Sequence, residues 1–214
     1  MDPDERRRHW QGVYEERAAD QVSWFQDTPD SSLALIEHTG VGREAAILDV
    51  GGGASRLVDH LLERGFKDVT VLDVAAPALE RGRERLGGRA EDVEWIAIDI
   101  TQASLERRYD IWHDRAVFHF LTDPAERARY RRAMLEALRP GGHLIVATFA
   151  LDGPERCSGL PVVRYSPETL AAELGPEVEL HETWDEDHVT PSGKVQRFVF
   201  CRFVRRGEDA AEHA

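Results

Sequence analysis

The sequence predicts an α/β protein with a doubly wound, mostly parallel seven-stranded sheet that ends in a C-terminal antiparallel hairpin. Three observations lead there. First, an apolar run from Ala45 to Val50 breaks into Gly51, Gly52 and Gly53, and amphipathic spacing then starts at Leu57, Val58, Leu61 and Leu62. That pattern is a buried strand, a tight turn and a helix. Second, strand-like and helix-like stretches alternate as far as Phe149, which calls for parallel strands joined by right-handed crossovers. Third, two late strand-like runs, Val178 to Trp184 and Val195 to Val204, flank a short Pro191-Ser-Gly193 turn. A turn that short makes them antiparallel neighbours.

The elements can be justified in chain order. Asp4 to Ala19 reads as a helix with Trp10 and Tyr14 four apart on one face. Val22-Ser-Trp-Phe-Gln26 adds an aromatic cluster before Pro29, and Asp30-Ser-Ser is placed to cap a helix from about Ser32 to Thr39, ended by Gly40 and Gly42. After the glycine turn and its helix, Asp68 to Asp73 forms the second strand. The next helix has Pro77 in its first turn, where a missing N–H costs least, and Gly87-Gly88 at its end. Val93 to Ile98 is the third strand, and Tyr109 to Trp112 the fourth. Asp123-Pro124-Ala-Glu126 opens a helix to about Leu138, and Arg139-Pro-Gly-Gly142 turns into a fifth strand from His143 to Phe149. A long loop, Leu151 to Tyr165, precedes a capped helix from Ser166 to about Leu174.

Residues 1–206 therefore read as a single domain whose first forty residues form N-terminal lid helices, and 207–214 as a polar, disordered tail. A chain of 214 residues is long enough to bury a substantial core. Its net charge of −13 opposes binding to nucleic acid, whose affinity comes mainly from neutralising phosphates. Two cysteines, Cys157 and Cys201, are too few for a disulfide framework, no apolar run is long enough to span a membrane, and the polar start lacks a secretory signal. A cytoplasmic enzyme is the expectation.

The turn is spelled Asp49-x-Gly51-x-Gly53-x-Ser55, not the Gly-x-Gly-x-x-Gly of dinucleotide dehydrogenases, and it lacks the third glycine that lets helix and strand pack closely. Asp73 closes the second strand, where ribose hydroxyls are held in nucleotide-binding sheets. Asp99 follows the third strand, and Leu138-Arg-Pro-Gly-Gly142 precedes the fifth. In these four places the chain resembles the class I, seven-strand methyltransferases that use S-adenosyl-L-methionine. The resemblance implies that Asp49, Gly51 and Gly53 face the methionine part of that cofactor, that Asp73 binds its ribose, and that Asp99 hydrogen-bonds the adenine amino group. It also sets Val74 and Ile100 against the adenine ring. Trp10-x-x-x-Tyr14 and Trp24 are similar to a subgroup that includes protein-lysine methyltransferases acting on a translation elongation factor and on citrate synthase. That likeness implies that Trp10, Tyr14, Trp24 and Arg115 contact the cofactor. The segment Asp114 to Phe120 and the loop Asp152 to Pro161 depart from those relatives, and both lie where an acceptor should bind.

Methyl transfer from a sulfonium is an in-line displacement, so the protein mainly aligns donor and acceptor and excludes water. A base is needed only for an acceptor protonated at neutral pH. His119, just beyond the fourth strand, is the candidate general base, the alternative being a histidine satisfied by a neighbour. His113 reads equally as structural, Asp114 as a cap of the following turn or, more sharply, a contact to a substrate amine, and Cys157 as reactive only if a cation such as Arg156 lowers its pKa, while the basic cluster Arg6 to Arg8 reads as a solvated helix face. The expected acceptor is a small molecule taking methyl on N, O or S, with a protein lysine as runner-up. A nicotinamide-dependent oxidoreductase and a noncatalytic cofactor-binding module are further alternatives.

Overall fold

The computed structural model describes residues 1–207, so all of the expected tail except Gly207 lies outside the described residues. Its strands are β1 (Ala46–Val50), β2 (Asp68–Asp73), β3 (Val93–Ala97), β4 (Tyr109–Arg115), β5 (Leu138–Phe149), the short pair β6 (Arg156–Cys157) and β7 (Leu160–Pro161), then β8 (Val178–Val189) and β9 (Val195–Arg205). The helices are α1 (Pro3–Glu16), α2 (Asp30–His38), α3 (Leu57–Glu63), α4 (Ala76–Leu86), α5 (Pro124–Ala137) and α6 (Pro167–Leu174). One sheet takes seven strands in the order β3-β2-β1-β4-β5-β9-β8, parallel from β3 to β5 and antiparallel at β9 and β8. The order reverses at β1, which puts a crevice at the carboxyl ends of β1 and β4.

Alternate residues of each strand feed two cores. Leu48, Trp112, Leu144 and Val146 meet Tyr130 and Met134 of α5 and Leu170 of α6 on one face. On the other, Ile47, Val71, Ile111 and Ile145 meet Ile36 of α2, Leu61 of α3 and Leu79 of α4. The period of two along a strand imposes this division, and helices on both faces explain why every residue of β1 is buried. At the sheet edge, β8 carries Glu179, Glu182, Asp185 and Asp187, charges that discourage pairing with a further strand. Among the described residues no helix is long and apolar enough to cross a membrane.

Some boundaries differ from expectation for local reasons. α1 stops at Glu16, and Ala19–Gln21 form a separate 3₁₀ turn. α2 starts at Asp30 with Pro29 at its N-cap, which has no side-chain acceptor, so Ser32 falls inside the first turn and its hydroxyl meets His113 Nε2 at 2.9 Å. β5 begins at Leu138 rather than His143: Leu138 pairs with Tyr109 and His143 with Ile111, so the residues between them make a bulge that Gly141 allows with φ of 77°.

A buried polar chain shapes the end of β4. Trp112 Nε1 donates to Tyr130 Oη at 2.8 Å, and Tyr130 Oη donates to Asp114 Oδ2 at 2.7 Å. Asp114 Oδ1 then accepts from Val117 N at 2.8 Å, capping the turn as expected. Burial raises this carboxyl to about 6. Replacing Tyr130 by Phe strands the Trp112 indole N–H and leaves Asp114 Oδ2 with the Phe118 amide alone, and should destabilise the protein by about 1–3 kcal/mol. Urea unfolding measures it; a midpoint indistinguishable from the parent would show that the chain carries no net stability.

Candidate active site

The carboxyl ends of the parallel strands supply the site. Gly51 has φ of 72°, open to a residue without Cβ, and a Cβ there would collide with Val117 Cγ2. A Cβ on Gly52 would collide with the Asp49 carboxylate, and one on Gly53 would stand 2.5 Å from Asp73 Oδ2 and 2.6 Å from Ala78 Cβ. Close helix packing, which seemed to lack its glycine, is provided from the helix side instead: a Cβ on Gly82 of α4 would approach the Gly53 carbonyl oxygen to 2.8 Å.

Three acids lie around this turn. Asp49 Oδ1 meets His113 Nδ1 at 2.7 Å, while its Oδ2 is buried without a partner. With the carboxylate accepting, His113 donates from Nδ1, and its Nε2 meets the Ser32 hydroxyl, so the ring ties β1 to α2. Asp73 is buried at the end of β2 and accepts from Ala75 N at 2.8 Å; burial pushes its carboxyl up to about 7. Asp99 Oδ1 accepts from Thr101 N at 2.9 Å, and its Oδ2 from Arg6 Nη1 at 2.7 Å. Arg6 Nη2 reaches Glu126 Oε1 at 2.6 Å, so one guanidinium near the start of α1 joins Asp99 to α5.

The aromatics close over these acids. Trp10 meets Trp24 edge-on at 5.6 Å and Phe120 at 4.9 Å, and Tyr14 stands 6.1 Å from Trp24. Arg81 of α4 donates to the carbonyl oxygens of Tyr14 and Arg17, holding the far end of α1. Beneath lies a cavity of about 800 Å³, part of it open to solvent, walled by Gly51, Asp73, Val74, Asp99 and Ile100 on one side and by Arg115, Phe120 and Phe198 on another. A second space of about 570 Å³, bounded by Ser32, Asp49, Gly51, Gly52 and His113, shares Tyr14, Trp24 and Arg115 with the first. Arg115 thus stands at the junction. Burial lowers its guanidinium to about 10, leaving it cationic at neutral pH.

Residues 48–144 match a family described as a methyltransferase domain. The seven-stranded sheet that contains the matched residues has the Rossmann-like fold of methyltransferases. Nodulation protein S of Rhizobium tropici is 33% identical over 111 residues, which are 52% of this chain and 46% of that protein. The eEF1A lysine and N-terminal methyltransferase of Danio rerio is 23% identical over 148 residues, 67% of this chain but 21% of that protein. The chain thus aligns with less than half the length of either relative. Among solved structures, the Burkholderia thailandensis 1,6-didemethyltoxoflavin-N1-methyltransferase with bound 1,6-didemethyltoxoflavin and S-adenosylhomocysteine superposes with a TM-score of 0.70 at 21% identity, covering 97% of this chain and 92% of that one.

The fold brings ten of the sequence-chosen residues to the cavity walls: Trp10, Tyr14, Trp24, Gly51, Asp73, Val74, Asp99, Ile100 and Arg115 in the larger space, and Asp49 in the smaller. Gly53 lies behind them, against Asp73. His119 does not join them. It is fully buried, its Nδ1 accepts from Phe149 N at 3.3 Å, and its ring packs on Phe149 at 4.7 Å. Burial, with the Arg115 charge, lowers it to about 3, so this placement does not suit a general base. Cys157 does reach the cavity, but burial pushes its thiol up to about 11 while Arg156 turns to the Gly159 carbonyl, so it is no thiolate nucleophile. Sequence reasoning missed Arg6, read as part of a solvated basic cluster, and Gln196 and Phe198 of β9, where strand alternation alone marked the inward face.

Removing one partner of a buried, hydrogen-bonded ion pair costs about 3–5 kcal/mol, because the other charge stays buried. Arg6→Met should therefore free α1 from the sheet. Amide hydrogen exchange over residues 3–16 is expected to accelerate at least about tenfold while β1 and β4 keep their protection; unchanged exchange in α1 would show that Arg81 and the aromatics hold it unaided.

Proposed function

We propose that this chain is an enzyme that transfers a methyl group from S-adenosylmethionine to a nucleophilic nitrogen, oxygen or sulfur of a small-molecule acceptor. The residues fit the cofactor. The Gly51 cradle is one that a Cβ would fill, Asp73 is a buried carboxylate facing it, and the orphaned Asp49 oxygen matches an ammonium group in charge. On this reading Asp49, Gly51 and Gly53 hold the methionine end, Asp73 the ribose, and Asp99, Val74 and Ile100 the adenine. Trp10, Tyr14 and Trp24 cover it. Once bound, the cofactor supplies an electrophilic methyl on a positively charged sulfur, with a neutral thioether as leaving group.

The chain's own part is alignment and exclusion of water. Arg6 and Arg81 keep α1 across the crevice, and the Trp10, Trp24 and Phe120 rings seal its rim. Asp114 fixes the turn after β4, so Arg115, Val117 and Phe120 face the cavity from rigid backbone. No histidine is required as base where the acceptor is an uncharged nucleophile or already ionised.

The roofed crevice carries the small-molecule reading: α1 crosses it, and its walls are mostly apolar rings with a few converging polar groups. A protein acceptor needs an extended, accessible contact surface. The partial likeness to an eEF1A lysine methyltransferase supports protein lysine as the second reading. Incubating the enzyme and methyl-labelled cofactor with cell extract split by size decides between them: label is expected in the metabolite fraction, and label confined to protein lysine would overturn the proposal.

Asp73 provides a further check. Ribose hydroxyls donate to a carboxylate, so cofactor binding selects the ionised form of a group whose value in the free protein is about 7. Below that pH a proton must leave first. S-adenosylhomocysteine should bind roughly tenfold more weakly at pH 6 than at pH 8, with little change above pH 8. Asp73→Asn should bind weakly at both. Calorimetry reads the difference, and an affinity independent of pH in the parent would remove Asp73 from the ribose site.

A further inference from the structure

The Arg115 side chain is only 10% exposed, yet it is underused. Nη1 donates to the Trp24 carbonyl oxygen at 2.9 Å, while Nε and Nη2 have no hydrogen-bond partner. The carboxylate oxygen facing Nη2, Glu186 Oε1, is 3.7 Å away and accepts from Gln26 Nε2 at 3.0 Å. The guanidinium carbon lies over the Phe198 ring, 4.8 Å from its centroid. On the same strand as Phe198, and on the wall of the same cavity, Gln196 is 9% exposed and its Oε1 is buried without a partner. The cavity lined by β4 and β9 thus has on its walls one residue with unmet N–H donors and another with an unmet carbonyl acceptor, together with Trp24, Phe120 and Phe198.

We propose that Arg115 and Gln196 are the specificity-determining residues for the acceptor, and that they select an uncharged, planar cyclic amide: a ring with a carbonyl oxygen beside an N–H. The carbonyl oxygen accepts from Arg115 and the ring N–H donates to Gln196 Oε1, satisfying both sets of orphaned groups at once. An anionic acceptor fits less well, because Glu186 already balances the Arg115 charge and a second carboxylate would enter unpaired. A simple hydrocarbon ring fits less well too, because it would bury both polar groups unmet. Flat shape is favoured by the aromatic lining, since Trp10, Trp24, Phe120 and Phe198 all wall the cavity.

This inference rests on the small-molecule reading above, and the test separates the two. Enzyme saturated with S-adenosylhomocysteine is titrated with 2-pyridone, benzoate, anisole and a short lysine-containing peptide, with binding followed by NMR. 2-Pyridone is expected to bind at least about tenfold more tightly than benzoate or anisole, since sites built for hydrogen bonds reject analogues that lack them. Gln196→Leu should abolish that preference while the affinity for S-adenosylhomocysteine stays within about twofold; Arg115→Met should abolish it too, with circular dichroism reporting that each variant is folded. Benzoate binding as well as 2-pyridone, no binding of any ring compound, or a preference surviving both substitutions would overturn the proposal. So would a tenfold loss of S-adenosylhomocysteine affinity in Arg115→Met, which would give the guanidinium to the cofactor instead. Binding and methylation of the peptide alone would overturn the small-molecule reading as well.

Discussion

The turn between β1 and α3 has no room for side chains, and much of the site follows from that lack of room. Gly51, Gly52 and Gly53 are each pressed by a different neighbour: Val117 from the turn after β4, Asp49 from the strand beneath, and Asp73 with Ala78 from β2 and α4. Two of those neighbours are carboxylates. The turn therefore packs backbone against acids, which are costly to bury and accept the cost because each is met by a hydrogen bond or by the cavity. Asp49 takes His113, and Asp73 takes the Ala75 amide.

Charge is organised on the same principle at longer range. The chain has a net charge of −13, yet three of its arginines are spent on the site. Arg6 bonds two buried carboxylates on different elements, Arg81 holds backbone carbonyls of α1, and Arg115 sits between two cavities. These contacts make the first helix part of the site's wall instead of a loose appendage. A helix this polar, with only Arg6 and Tyr14 buried, would otherwise have little apolar area to hold it in place.

Much of the fold was legible because local signals agreed with one another. Apolar runs, glycine stops and N1 prolines placed the five parallel strands and their helices within a few residues, and the short Pro191-Ser-Gly193 turn set the direction of the hairpin. One wall of the cavity was legible for the same reason: its glycines and acids are contiguous with strand ends. What was not legible depends on contacts between distant segments. Arg6 looked like one of three solvated arginines, and only the fold sets it beside Asp99 and Glu126, ninety-three and one hundred and twenty residues away. His119 had the right position beyond β4 but the wrong direction, because the turn capped by Asp114 sends its ring inward against Phe149. Ser32 looked like a helix cap, and the histidine that claims its hydroxyl is eighty-one residues on.

The hairpin that ends the sheet also divides labour along the chain. The groups assigned to the cofactor all precede Thr101, whereas those assigned to the acceptor, Arg115, Gln196 and Phe198, come from β4 onward, and two of the three sit on β9. Strand β9 is paired to the parallel sheet only through β5. On the proposed reading, substitutions on its inward face would reshape what is methylated more than how the methyl donor is held, and chimaeras that join the first hundred residues of this chain to the second half of a relative would inherit the donor grip of one parent and the acceptor preference of the other, acceptor range being an exchangeable part.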